Sequence, residues 1–176
     1  MRGGSNWRST ARRWLTALLL VAGLAAGGSL ARAEARLLNR KAPEFARRDL
    51  RGQMVDLGKL RGKVVLLNFW ATWCAPCQTE MPVFSGWQRR YGTQGLQVVG
   101  ISMDDSEAPV RKVVGRLKLD YPVAMGDVKL GELYGGVLGL PLTYLIDRKG
   151  VVRAQYQGTA DLKQIEARVK QLLGKR

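Results

Sequence analysis

Asn68-Phe69-Trp70-Ala71-Thr72-Trp73-Cys74-Ala75-Pro76-Cys77 holds both cysteines of the chain and the point where its hydrophobic period changes. Upstream, Val64, Val65, Leu66, Leu67 and Phe69 form a nearly continuous apolar run. That pattern predicts a strand buried on both faces of a parallel or mixed sheet. Downstream, Val83, Phe84, Trp87 and Tyr91 recur at helical spacing and predict one stripe of a helix packed on that sheet. A Cys-x-x-Cys pair between such a strand and such a helix can cycle between dithiol and disulfide. The attacking species is a thiolate, and the free amides and partial positive charge of a helix's first turn lower the pKa of a cysteine there. Cys74 has that place and is the expected nucleophile; Cys77, one turn in, is the expected resolving thiol. Pro76 suits a first helical turn, where its missing N–H costs nothing.

Beyond the motif the order is β-α-β-α. Leu96 to Ile101 reads as a second strand, and Asp104-Asp105-Ser106 supplies cap-type residues ahead of a helix carrying Val110, Val113, Val114 and Leu117. Tyr121 to Met125 reads as a short strand, Val128 to Tyr134 as a short helix, and Gly135-Gly136 as its stop. Leu142 to Ile146 and Val151 to Tyr156 flank Asp147-Arg148-Lys149-Gly150 as a hairpin. Asp161 caps a last helix, whose Leu162, Ile165, Val169, Leu172 and Leu173 form a core-facing stripe before Gly174. Nearer the start, Asp49 to Gln53 between Phe45 and Met54-Val55 reads as another hairpin.

Trp70-Ala71-Thr72-Trp73-Cys74-Ala75-Pro76-Cys77, with Glu80 and Pro82 after it, resembles exported thioredoxin-like thiol-disulfide oxidoreductases of the TlpA/ResA type, in the redoxin/AhpC-TSA-like superfamily. Lys41-Ala42-Pro43-Glu44-Phe45, Leu60-Arg61-Gly62-Lys63, Gly139-Leu140-Pro141 and Thr143-Tyr144-Leu145-Ile146-Asp147 extend the likeness over roughly residues 40–173. The resemblance implies an α/β thioredoxin fold, a mixed central sheet flanked by helices, with the N-terminal hairpin added. It also implies a role for Glu80, three residues past Cys77 on the same helix face. Half-buried, that carboxyl would have a raised pKa and could accept or return a cysteine proton; the alternative is an exposed helical glutamate. Pro141 is similar to the family's cis-proline, which implies that the Leu140 backbone faces Cys74 and pairs with an extended substrate. Trp73, Pro76, Leu140 and Pro141 are therefore the expected substrate groove, with Trp70 and Trp73 packing around the site first and touching substrate second. Pro82 is expected to kink the helix rather than meet substrate. Two departures, Leu142 where the family usually has Thr and a Gly135-Gly136 loop one residue longer, are expected to reshape the groove.

Ahead of the domain, Arg2, Arg8, Arg12 and Arg13 precede an apolar run from Trp14 to about Leu30, and Ala31-Arg32-Ala33 offers small residues for cleavage before Glu34. Residues 1–33 read as an export signal or a retained N-terminal membrane anchor, and residues 34–176 as the thioredoxin-like domain. Either outcome delivers the domain to the periplasmic or other extracytoplasmic side, soluble or held at the inner membrane. Without the five leader arginines, 24 basic and 14 acidic side chains remain, a charge of +10. The bases are scattered singly or in pairs with no aromatic stacking pattern, which speaks against nucleic acid and for a solvated surface, with anionic lipid or acidic proteins the next candidates.

Rival chemistries lack residues. A structural zinc site or haem attachment needs histidines or more cysteines, and the chain has no histidine and two cysteines. A thiol peroxidase would want its hydroxyl three residues before the sulfur, whereas Thr72 stands two before Cys74. A copper carrier using Cys74 and Cys77 as soft ligands is the non-enzymatic alternative. No Gly-rich dinucleotide fingerprint is present and no cofactor is expected. The resemblance implies reduction of protein disulfides in the bacterial envelope, of the cytochrome c maturation or copper-site assembly type. Its electrons would come from a membrane dithiol donor.

Overall fold

The computed structural model describes residues 37–174; the expected leader, residues 1–33, lies outside them. Seven strands and four α-helices follow in the order β1 (Ala46–Arg48), β2 (Met54–Asp56), β3 (Val64–Trp70), α1 (Ala75–Tyr91), β4 (Leu96–Ser102), α2 (Glu107–Leu117), β5 (Val123–Met125), α3 (Val128–Leu133), β6 (Leu142–Ile146), β7 (Val152–Gln157) and α4 (Leu162–Gly174). The main sheet has the order β5-β4-β3-β6-β7. β3 pairs in parallel with β4 and antiparallel with β6, so the sheet is mixed and β3 is its centre. This is a thioredoxin-like fold, with β1 and β2 forming the separate N-terminal antiparallel pair.

Every residue of β3 is buried, as its unbroken apolar run requires. Successive side chains alternate between two cores. Val64, Leu66 and Trp70 join the cluster built with Cys77, Phe84 and Trp87 of α1, Val110 of α2 and Ile165 of α4. Val65, Leu67 and Phe69 join the opposite cluster, with Leu130 of α3, Tyr134 and Val55 of β2. At the N-terminal hairpin the Asp49 carboxylate accepts the Arg51 and Gln53 amides at 2.9 and 2.8 Å. The Leu50 amide then bonds Val123 at 2.8 Å and ties the hairpin to the edge strand β5. Between β6 and β7, Gly150 has φ +73°, and a Cβ there would lie 0.9 Å from Arg61 Nη1, so both backbone and packing demand glycine.

The cap at α2 departs from expectation. Ser106 is the N-cap residue without a side-chain bond, and Asp104 turns away to a different task described below. Asp161 does cap α4, its carboxylate accepting the Lys163 amide at 2.8 Å. Leu142, expected near the groove, is 2 % exposed and packs in the core with Phe69 and Tyr144, because its place in β6 turns it to that face. Among the described residues no helix is long and apolar enough to cross a membrane.

Candidate active site

The end of β3 delivers Ala71 to Trp73 as a short loop, and Cys74 opens α1 as its N-cap residue. The Cys74 Sγ accepts the Cys77 amide at 3.3 Å, so the sulfur itself satisfies one of the donors that a helix start leaves free. Cys74 and Cys77 form a disulfide across a Cα separation of 5.3 Å. Cys74 retains 5 % of its surface and Cys77 none, so attack from outside has one accessible sulfur. Pro76 lies in the first turn and is half-buried.

The loop is held from the neighbouring strand. Parallel register sets Trp70 opposite Ser102, so the chain leaving β4 passes beside the motif. Asp104 there accepts the Thr72 amide at 2.9 Å and the Thr72 hydroxyl at 2.6 Å, and takes the Ser102 hydroxyl at 2.7 Å. Gln78 clasps the same loop from α1, donating to the Thr72 carbonyl at 2.6 Å while accepting from Arg116 of α2. Sequence reading placed Asp104 in a helix cap and passed over Gln78. Their partners lie 32 and six residues away, and no local pattern marks such a pair.

Glu80 sits one turn below Cys77, 4 % exposed, which excludes the exposed-glutamate alternative. Among the described residues its Oε1 has no hydrogen-bond partner. Burial pushes the Glu80 carboxyl above its ordinary pKa, with the Ala160 amide pulling weakly the other way. α1 continues unbroken through Pro82, which is exposed and seven residues inside the helix, away from the disulfide.

Pro141 follows a cis peptide bond from Leu140. Pro141 is buried and Leu140 half-buried, packed against the cluster that contains both cysteines. The two tryptophans separate. Trp70 is fully buried, whereas Trp73 is 72 % exposed and does not pack around the site as expected, because it lies in the loop after the strand's alternation has ended. Leu138, 82 % exposed, lies three residues before Pro141 and was not anticipated; the signal was an apolar residue in a glycine-bounded loop with no period to bury it.

The arrangement can perform thiol–disulfide exchange: a nearly buried pair of sulfurs at a helix start, one reachable, with a carboxyl of raised pKa on the face below. Among the described residues no group of three or more His, Cys, Asp or Glu converges as a metal site.

Comparison with known proteins agrees. The AhpC/TSA family profile matches residues 38–155. The thiol-disulfide oxidoreductase ResA of Bacillus cereus (strain ATCC 10987 / NRS 248) is 33% identical over 147 residues, covering 82% of this chain and 84% of that protein. The thioredoxin-like protein YneN of Bacillus subtilis (strain 168) is 36% identical over 132 residues, covering 73% and 76%. A crystal structure of a thiol:disulfide interchange protein of the thioredoxin family from Chlorobium tepidum TLS superposes with a TM-score of 0.71 at 29% identity, covering 76% of this chain and 96% of that one.

Proposed function

This chain belongs to the AhpC/TSA family and is a thiol–disulfide oxidoreductase, and from there we propose that it reduces protein disulfides outside the cytoplasm. The observation that carries the reading is the Cys74–Cys77 pair at the start of α1 with Glu80 buried one turn below. In the reduced protein the Cys74 thiolate attacks one sulfur of a substrate disulfide. The substrate S–S bond breaks, its other sulfur leaves as a thiolate and takes a proton, and a mixed disulfide remains on Cys74. Cys77 then attacks the Cys74 sulfur, the second substrate thiolate departs, and the intramolecular disulfide forms. Glu80 accepts the proton that Cys77 sheds and returns it when the pair is reduced again.

Trp73, Pro76, Leu140 and Pro141 form the substrate groove. An extended segment pairs with the Leu140 backbone and lies against the exposed Trp73 ring. Residues 1–33 act as the export signal or the membrane anchor and residues 34–176 as the working domain, in the periplasm or at the outer face of the inner membrane. A membrane dithiol carrier reduces the Cys74–Cys77 disulfide, since the chain has no flavin or nicotinamide motif to supply electrons. Clients are envelope proteins whose cysteines must be reduced before haem or copper is inserted.

The reductive direction rests on Ala75 and Pro76. Neither is charged, so the Cys74 thiolate gains little beyond the helix terminus, and the strong-oxidant condition of a highly stabilised reduced form is not met. The test is the equilibrium reduction potential of the pair in thiol redox buffers. A reductant gives a value of roughly −230 mV or lower; a value near about −120 mV would reverse the electron flow and overturn the proposal.

A further inference from the structure

At the end of the sheet away from the disulfide, the β6–β7 turn, α4 and the first described residues line an open cavity of about 560 Å3. Its lining includes Arg148, Lys149, Arg153 and Arg168 against one carboxylate, Asp147, and Asn39 and Leu172 complete it. The carboxylate is already committed, accepting from Arg153 Nε at 2.8 Å and from the Lys149 and Val151 amides at 2.9 Å each. Arg148 is fixed by the carbonyls of Gly62 at 2.8 Å and Leu173 at 3.1 Å. Lys149 has an exposed side chain with no carboxylate partner among the described residues, and its carbonyl accepts from Lys41 at 2.7 Å and from Arg61 at 2.8 Å, the latter already paired with Glu44. Four cations lining one cavity, against a single carboxylate that is already committed, make an anion site. It lacks the aromatic platforms that single-stranded nucleic acid would need.

The chain's own course selects among anions. Asn39 lines the cavity, its amide bonds Val152 at 2.8 Å, and Leu38 beside it is 42 % exposed, so the polypeptide enters the domain at this end. Leu30, the end of the apolar leader run, is seven residues before Leu37, a reach of at most about 25 Å when extended. The disulfide, by contrast, lies at the far end of the seven-residue strand β3, roughly 20 Å away at the usual strand rise. We propose that this basic end docks on anionic phospholipid headgroups, with their phosphates in the Arg148, Lys149, Arg153 and Arg168 cavity, so that Cys74 is presented away from the bilayer surface. The docking is independent of the direction of electron flow.

The test uses the full chain reconstituted in vesicles of phosphatidylcholine alone, or with about one third phosphatidylglycerol, and reads hydrogen exchange across the Asp147–Arg153 turn. Each Lys or Arg near an anionic surface changes its population about fivefold, so exchange in the turn slows by about that factor or more on the anionic vesicles. The slowing disappears in about 0.5 M salt, which shortens the screening length to a few ångströms. It weakens in Lys149→Glu and disappears in the Lys149→Glu, Arg168→Glu double variant; the single variant alters only an exposed side chain and preserves the fold. Equal exchange on both vesicle types overturns the proposal. So does equal slowing on neutral vesicles with inorganic phosphate alone, which would make this a soluble-anion site, or with polyglutamate alone, which would make it a site for acidic protein.

Discussion

Glu80 carries a carboxyl with one partnerless oxygen in a nearly closed environment, and its energetic sign can be worked out. Burial raises its folded-state pKa, so between the ordinary and the raised value the native protein binds more protons than the unfolded chain. Stability is therefore full below the ordinary carboxylate pKa and is lost as pH rises through the raised one. Glu80→Gln removes that loss. Urea midpoints of the oxidised protein followed from about pH 4 to pH 8 fall less in the variant than in the parent, and the pH profile of disulfide exchange changes with them. Asp104 acts at the same scale by accepting three donors that no other side chain replaces. Each such bond has a net worth of about 0.5–1.5 kcal/mol, so Asp104→Ala lowers stability by about 1.5–4.5 kcal/mol in urea titration. Asp104→Asn keeps one accepting oxygen and loses less. Glu80's burial was expected from the resemblance rather than from any local pattern, and Asp104's partners were not visible as residues in a row. The i, i+3 spacing placed Glu80 below Cys77, but only the fold of α1 onto β3 removed it from water.

Helices α1 and α4 are joined by a clasp outside their apolar stripes. The Tyr91 hydroxyl donates to Glu166 at 2.7 Å, with Arg90 at 3.1 Å and Lys170 at 3.5 Å on the same carboxylate. The Tyr91 bond is the main reason the Glu166 carboxyl stays below its usual range. A lowered pKa contributes stability that is present above the unfolded value and is lost as pH falls through the folded one. Tyr91→Phe accordingly destabilises by about 1 kcal/mol at neutral pH, and the difference from the parent narrows in acid, as denaturant titrations at about pH 7 and pH 2 would record. The helical stripe announced Tyr91 as a core residue, and it is 6 % exposed. Its polar tip belonged to no period and could be paired only once the two helices lay side by side.

For the whole molecule, the disulfide is both the reactive group and a crosslink. It closes so short a loop that the chain-entropy model assigns it only about 2 kcal/mol, little for a domain with two cores. Reduction should lower the urea stability by about that amount and leave the fold intact, as far-UV circular dichroism would show. A strong oxidant does the reverse, because its reduced form is the more stable one. The sign of this difference checks the proposed direction without a redox buffer.

The order of elements, the central strand, the helix that carries Cys74 and Cys77, both hairpins and the final capped helix were written in local patterns. Apolar period, turn residues and the Cys-x-x-Cys spacing act over a few neighbours and need no partner to be read. Tertiary structure alone decided what those patterns meet. Parallel register between β3 and β4 brought Asp104 to Thr72. Packing of α1 buried Glu80, and the end of the strand's alternation left Trp73 in solvent. The β6–β7 turn brought Arg148 to the carbonyls of Gly62 and Leu173, residues far apart in the chain. The physical reason is the same each time: a buried charge or a satisfied donor is a property of two segments at once, and the sequence lists them one after the other.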